Sequence, residues 1–330
     1  MTTTGLLGAA HLGTVLPHEH LLSNTIREYR ATGLLHDMAV MSAEVSAFVA
    51  AGGGTIVDVT PAEIAQGAAP DPLGVLDDRA KRRRPAADTT GTRPVANVLA
   101  LARLAEETGA HVVLGTGHYR DPYLDRDWFD RTSADEIAEL MVRDLEEGFP
   151  GTAVRAGVIG EIGAEQWYVS AAEERSFRAA ARAQLRTGVM ITTHAMRWPV
   201  GLAQLDILTA EGVDPHRVVI GHCDLVPLPE YHLEIARRGA YVQFDTFHRC
   251  TDAGQLRARV EAMVRLVRAG HLEKVLVSHD VFRTDHLRSS GGTGLAFIPE
   301  RLPGALTDAG LDAEEVTQIL TVNPQRALAG

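Results

Sequence analysis

The chain has 330 residues, 45 % of them hydrophobic and 23 % charged, enough for one sizeable buried core without covalent staples. Its formal net charge of -11, from 32 basic against 43 acidic residues, repels phosphate backbones and anionic lipid heads, which argues against nucleic acid and membrane partners. Two cysteines, Cys223 and Cys250, are too few for a disulfide framework, and with no basic-then-apolar leader the expected location is the cytoplasm.

Short β-branched runs alternate with longer Ala-rich or amphipathic stretches along the whole chain, the rhythm of βαβ units. The first run, near residues 13–16, leads into PHEH. Further runs near 55–60, 111–116, 156–161, 189–194, 218–222, 241–245 and 275–278 bring the strands to eight. Helices are expected over 42–51, 95–108, 133–147, 171–187, 202–211, 229–238 and 253–269. Ser42, Ser133 and Ser170 stand at N-cap positions, and Gly109, Gly188 and Gly239 stop helices ahead of strands.

Eight such units with right-handed crossovers close most naturally into a (β/α)8 TIM barrel, a single domain over residues 1–330. An open doubly wound sheet would more often carry a glycine-rich phosphate loop after its first strand, where this chain has PHEH. Residues 62–94, with the basic run Lys81, Arg82, Arg83 and Arg84, read as a long loop after the second strand. Residues 281–300, with Gly291, Gly292 and Gly294, read as a flexible, lid-like loop after the eighth.

Strand alternation turns both imidazoles of His18-Glu19-His20 to one face. Glu161 follows GVIG, His194 follows ITT, His222 follows VVIG and Asp280 follows LVSH, so each stands at the carboxyl end of its strand, where barrel enzymes keep their chemistry. Five nitrogen and oxygen donors with one bridging carboxylate suffice for two divalent ions, zinc being expected and manganese, cobalt or iron compatible. Tyr119, after the third strand, either packs at the rim or donates a hydrogen bond to substrate. Asp224 either caps the next helix or serves the substrate site, as support behind it or as an extension of the proton relay. Arg283 either pairs with an anionic substrate group or with a surface acid. By alternation His279 and Cys223 face away from the ions, and His248 reads as a solvated loop histidine.

Taken in order, GTVLPHEHL, VDVT, TGAHVVLGTGHY, GVIGEIG, THA, VVIGHCD, VSHD and NPQRAL resemble the amidohydrolase superfamily, and within it the phosphotriesterase family with its phosphotriesterase-related and lactonase members. The resemblance covers nearly the whole chain. It implies that His18, His20 and Asp280 hold one ion and His194 and His222 the other, with Glu161 bridging where many relatives carry a carbamylated lysine. It also implies a hydrolase in which a metal-bridging hydroxide attacks and Asp280 takes the proton. The expected substrate is a small molecule, a carboxylic ester and in particular a lactone. N-acyl amide or phosphotriester cleavage are the alternatives on the same site, and a catalytically silent binding barrel is the alternative of another class. A homodimer fits, since dimers are frequent among such relatives. One departure concerns the pocket: many members continue the second strand into a Gly-Arg-Asp turn, whereas VDVT here runs into PAEIAQGAAPDP.

Overall fold

The computed structural model describes residues 1–68 and 91–329, so the basic run 81–84 and most of the loop expected over 62–94 lie outside the described residues. Eight parallel strands follow one another in chain order around one sheet: β1 (Thr14–Glu19), β2 (Gly53–Asp58), β3 (His111–Thr116), β4 (Val158–Ala164), β5 (Ile191–Ala195), β6 (Val218–Ile220), β7 (Tyr241–Phe244) and β8 (Val275–Val277). The ring closes just beyond the end of β8, where the His20 amide donates to Val281 O at 3.1 Å and the Asp280 amide to His18 O at 3.2 Å. Glu19, turned away from its histidine neighbours, clamps this seam. Its buried carboxylate accepts from the Ser278 hydroxyl at 2.7 Å and from the His279 and Val281 amides at 2.8 and 2.9 Å.

The helices α1 (Met38–Ala50), α2 (Val95–Thr108), α3 (Ala134–Glu146), α4 (Ala171–Thr187), α5 (Gly201–Ala210), α6 (Pro229–Arg237), α7 (Ala253–Leu266) and α8 (Phe297–Asp308) follow the strands in turn. Ser133 and Ser170 form capping boxes with Glu136 and Glu173. Ser42 does not cap: α1 starts a turn earlier, because the Asp37 carboxylate accepts from the Ala39 and Val40 amides. Gly109 and Gly188 end α2 and α4 at φ 74° and 72°, a left-handed backbone that costs glycine nothing. No helix among the described residues is long and apolar enough to cross a membrane.

The core has two layers because strand side chains alternate. Val15, Val57, Val113, Val158, Val219, Tyr241 and Leu276 fill the barrel interior. Leu16, Ile56, Leu114, Ile159, Ile191, Ile220, Phe244 and Val277 face outward into the helix layer.

Two strands break the alternation where it matters. On β1 the three steps from Leu16 to Glu19 pair with only two steps on β2, Ile56 to Asp58. On β4 the steps from Ile159 to Ile162 pair with Ile191 to Thr193 on β5 in the same way. One extra residue reverses which face every later side chain takes. Val15 and His18 therefore share the interior, as do Val158 and Glu161. Pro17, which has no amide to give to a ladder, sits inside the first of these irregular stretches.

The segment expected as a flexible lid is pinned. Glu44 on α1 accepts from the Arg288 amide at 2.6 Å and the Leu295 amide at 3.3 Å, and the Gly294 amide donates to His286 O at 2.9 Å. A Cβ on Gly292 would stand 2.2 Å from the His286 carbonyl, and one on Gly294, at φ +65°, 2.5 Å from Glu44 Oε2. Close approach is what these glycines supply, and the segment runs directly into α8.

Candidate active site

The side chains at the carboxyl ends of β1, β4, β5, β6 and β8 converge on Glu161. Its Oε2 lies 3.4 Å from His18 Nε2, 3.0 Å from His194 Nδ1 and 3.5 Å from His222 Nε2, and its Oε1 lies 3.3 Å from His20 Nε2. Asp280 Oδ1 completes the cluster at 3.4 Å from His20 Nε2 and 3.9 Å from His18 Nε2. All six residues are buried. Irregular backbone aims two of them: His222 and Asp280 adopt φ 56° and 55°, a left-handed conformation that non-glycine residues hold only when their surroundings demand it.

Whether such a set suits a cation is decided by its unpaired atoms. His18 Nε2 is buried and has no hydrogen-bond partner, although acceptors and imidazoles surround it. Donors about 2.0–2.2 Å from one ion stand roughly 3–3.5 Å from one another, which is the spacing of this cluster. His18, His20 and Asp280 form one group whose donor atoms lie within 4.8 Å of each other, and His18, Glu161 and His222 form a second. The donor set fits divalent cations.

Electrostatics points the same way. Burial opposes ionisation of Glu161, yet the surrounding His194 and His18 hold its carboxyl well below the usual range. Burial also opposes charge on His20, but Asp280 and Glu161 overcome it and raise its pKa to about 10. His194, desolvated without enough compensation, drops to about 3. Burial lifts Asp280 above the ordinary carboxylate value in spite of His20. Two carboxylates thus ask for positive charge that four buried imidazoles supply unevenly.

A layer of residues not singled out in the sequence holds these groups. Asp245 accepts from His222 Nδ1 at 2.8 Å and stands 3.2 Å from His18 Nδ1; His222 and His18 keep it down at about 2 against the cost of burial. Gln243 Nε2 lies 2.9 Å from His18 Nδ1 and donates to Asp245 at 2.8 Å. Thr60 Oγ1 meets His20 Nδ1 at 3.0 Å, while Asp58 accepts from the Thr60 amide and pairs with buried Arg93 at 2.7 Å. Asp245 and Thr60 had a signal in the sequence: each ends one of the apolar runs expected as strands, 241–245 and 55–60.

Beside the cluster lies a small cavity of about 20 Å³ whose walls include His20, His194, Asp280, Tyr119, Arg120, Ile64, Met196 and Phe282. Tyr119 is buried with its hydroxyl 3.5 Å from His194 Nδ1, and the Glu63 carboxylate accepts its amide at 3.0 Å. Asp224 and Arg283 are not brought to this cavity. The Asp224 carboxylate accepts from Arg259 Nε at 2.7 Å and from the Asp245 and Thr246 amides at 3.2 Å, which supports the end of β7 from behind. Arg283 pairs with Asp285 and lies over the Tyr29 ring, 4.9 Å from its centroid.

His248, expected in solvent, is instead buried: it stacks on His286 with centroids 4.0 Å apart and bonds through Nδ1 to His279 O at 2.7 Å. The loops after β7 and β8 pack together around it, which local composition does not reveal. His279 turns to Glu19 and the Ile298 amide, and Cys223 lies in the outer core layer.

Residues 74–328 match the family model described as the phosphotriesterase family. The phosphotriesterase homology protein of Escherichia coli (strain K12) is 37 % identical over 220 residues, 67 % of this chain and 75 % of that one. N-acetyltaurine hydrolase of Danio rerio is 28 % identical over 327 residues, 95 % of this chain and 84 % of its own. A lactonase from Listeria monocytogenes superposes with a TM-score of 0.84 at 26 % identity, over 99 % of this chain and 98 % of that one.

Proposed function

The chain belongs to the phosphotriesterase family, and on that footing we propose that it is a metal-dependent hydrolase of carboxylic esters, lactones in particular. The observation that carries the reading is the convergence of four imidazoles and Asp280 on one buried carboxylate, Glu161, at the wall of a cavity. His18, His20 and Asp280 would hold one divalent ion and His194 and His222 a second, with Glu161 between them. Two such ions, zinc first among the candidates, would supply Lewis acidity and lower the pKa of water towards neutrality.

The chain's own groups do the rest. Asp280, held above the usual carboxylate range by burial, accepts a proton and returns it to the leaving oxygen. The Tyr119 hydroxyl donates a hydrogen bond to the substrate's carbonyl oxygen. Ile64, Met196 and Phe282 seat the apolar part of a small acyl compound and exclude water from it. The lactonase that superposes over 99 % of the chain supports the ester reading. A second reading, cleavage of an N-acyl amide, is favoured by the hydrolase from Danio rerio that aligns with 95 % of the chain. There Asp280 would hand its proton to an amine.

Protein loaded with zinc or manganese tests this on a panel of lactones of different ring size, open esters, N-acyl amino acids and phosphotriesters. The expected result is highest kcat/KM on a lactone, lost in Glu161→Ala. Turnover confined to N-acyl amides moves the assignment to the second reading. Two tightly bound ions with no turnover anywhere on the panel leaves a binding protein.

A further inference from the structure

Resting on the hydrolase reading above, we infer that the substrate carries, besides its scissile carbonyl, an ionised carboxylate or sulfonate on a short linker, and that Arg120 receives it. Arg120 directly follows Tyr119, and its side chain is 5 % exposed. Its outer nitrogens hold two acids, Glu28 at 2.5 and 2.6 Å and Glu165.

The asymmetry of this triad decides what a ligand meets. Arg120 is part of the cavity wall beside His20, His194 and Asp280, whereas neither Glu28 nor Glu165 borders the cavity. The two carboxylates are 29 % and 31 % exposed, so water screens them on the outer side. The cavity therefore borders the cation and neither of the two acids. Arg120 Nε is buried and has no hydrogen-bond partner. A buried donor on a charged group left unpaired is unfavourable, and an anionic acceptor is the strongest partner it can take.

Rigidity and reach support the assignment. The guanidinium carbon lies 5.0 Å from the ring centroids of both Tyr119 and Tyr123, which fixes the plane of the fork. Tyr119 spans the gap, its ring against Arg120 and its hydroxyl 3.5 Å from His194 Nδ1. One tyrosine side chain thus sets the distance between the acid and the carbonyl under attack.

The test compares each acid with its neutral counterpart: N-acetyl-β-alanine with its amide, and γ-carboxy-γ-butyrolactone with γ-butyrolactone. Wild-type protein is expected to favour the acid by about ten- to a hundredfold in kcat/KM, the worth of one charge-assisted hydrogen bond. Arg120→Met should abolish the preference by raising the KM of the acids to that of their neutral counterparts. Glu165→Gln, which removes one outer charge at constant shape, should increase it.

Calorimetric binding of the same pairs to the Asp280→Asn protein reads the site without turnover. Acid-selective binding to that variant, with no hydrolysis of any panel compound by the metal-loaded wild-type protein, would sink the hydrolase reading and leave the anion subsite. Hydrolysis with equal affinity for acid and neutral partner overturns the subsite alone, as does an Arg120→Met that weakens both alike. Should Arg120→Met fail to fold, the absence of any gain in Glu165→Gln overturns it equally.

Discussion

The floor of the barrel and its mouth bury side chains of opposite kinds on the same strands. Val15, Val158, Val219 and Leu276 on the floor carry no polar atom, so their only demand is that volumes match. A few residues further along, His18, Glu161, His222 and Asp280 are as thoroughly buried, yet each needs partners at defined angles. The floor is accordingly one layer deep. The mouth needs a second layer, in which Asp245, Gln243 and Thr60 occupy the Nδ1 atoms of His18, His20 and His222 and leave their Nε2 atoms to the site. Burial alone therefore does not mark function; an unspent polar atom among several converging donors, as at His18 Nε2, does.

Four substitutions break or sharpen that contrast. The largest effect is expected at the mouth, where Asp280→Asn should lower kcat by about 10²–10⁴-fold with little change in KM, the range for losing a proton-transfer group. Steady-state kinetics on the best panel substrate decides it, and undiminished turnover removes Asp280 from the chemistry. On the floor, Leu276→Ala should cost about 2–5 kcal/mol of stability in denaturant unfolding while kcat in the folded protein stays the same. A large loss of kcat there would erase the division between the two ends.

Asp245→Asn addresses the layer behind the mouth. It should weaken metal affinity or activity by roughly 10–100-fold, the usual cost of losing the carboxylate that orients a ligating histidine. Metal titration with the fold checked by circular dichroism separates this from misfolding. The smallest effect concerns Asp58, whose carboxyl Arg93 pulls below its ordinary value against the cost of burial. A depressed folded pKa means stability that is present above the unfolded value of about 3.9 and lost as pH falls below it. Wild-type stability should therefore decline on acidification below about pH 4, and Asp58→Asn should flatten that decline. An unchanged slope would show that Arg93 does not set it.

Much of this was legible in the chain itself because strand and helix periods are local. The eight apolar runs lie within a few residues of the observed strands, and the six polar residues that end them meet at the mouth. Ser133 and Ser170 announced helix starts because their partners Glu136 and Glu173 stand three residues on. Ser42 misled because a stronger cap, Asp37, lay just ahead of it. Arg283 and Arg120 show the boundary more sharply. Both are loop arginines beside site residues, yet one pairs with its neighbour Asp285 and the other enters the cavity wall with acids 92 and 45 residues away.

Sequence by itself determined the order of strands, the layering of the core and the identity of the candidate donors, since each follows from residue type and short-range spacing. Only the tertiary structure decided which way those donors face. The extra residue on β1 and on β4 exists only relative to a neighbouring strand's register, and the pairing of Asp245 with His222 and of Glu19 with the β8 seam joins distant segments. A count along one strand carries no information about its partner's count, and that difference turns His18 and Glu161 into the barrel.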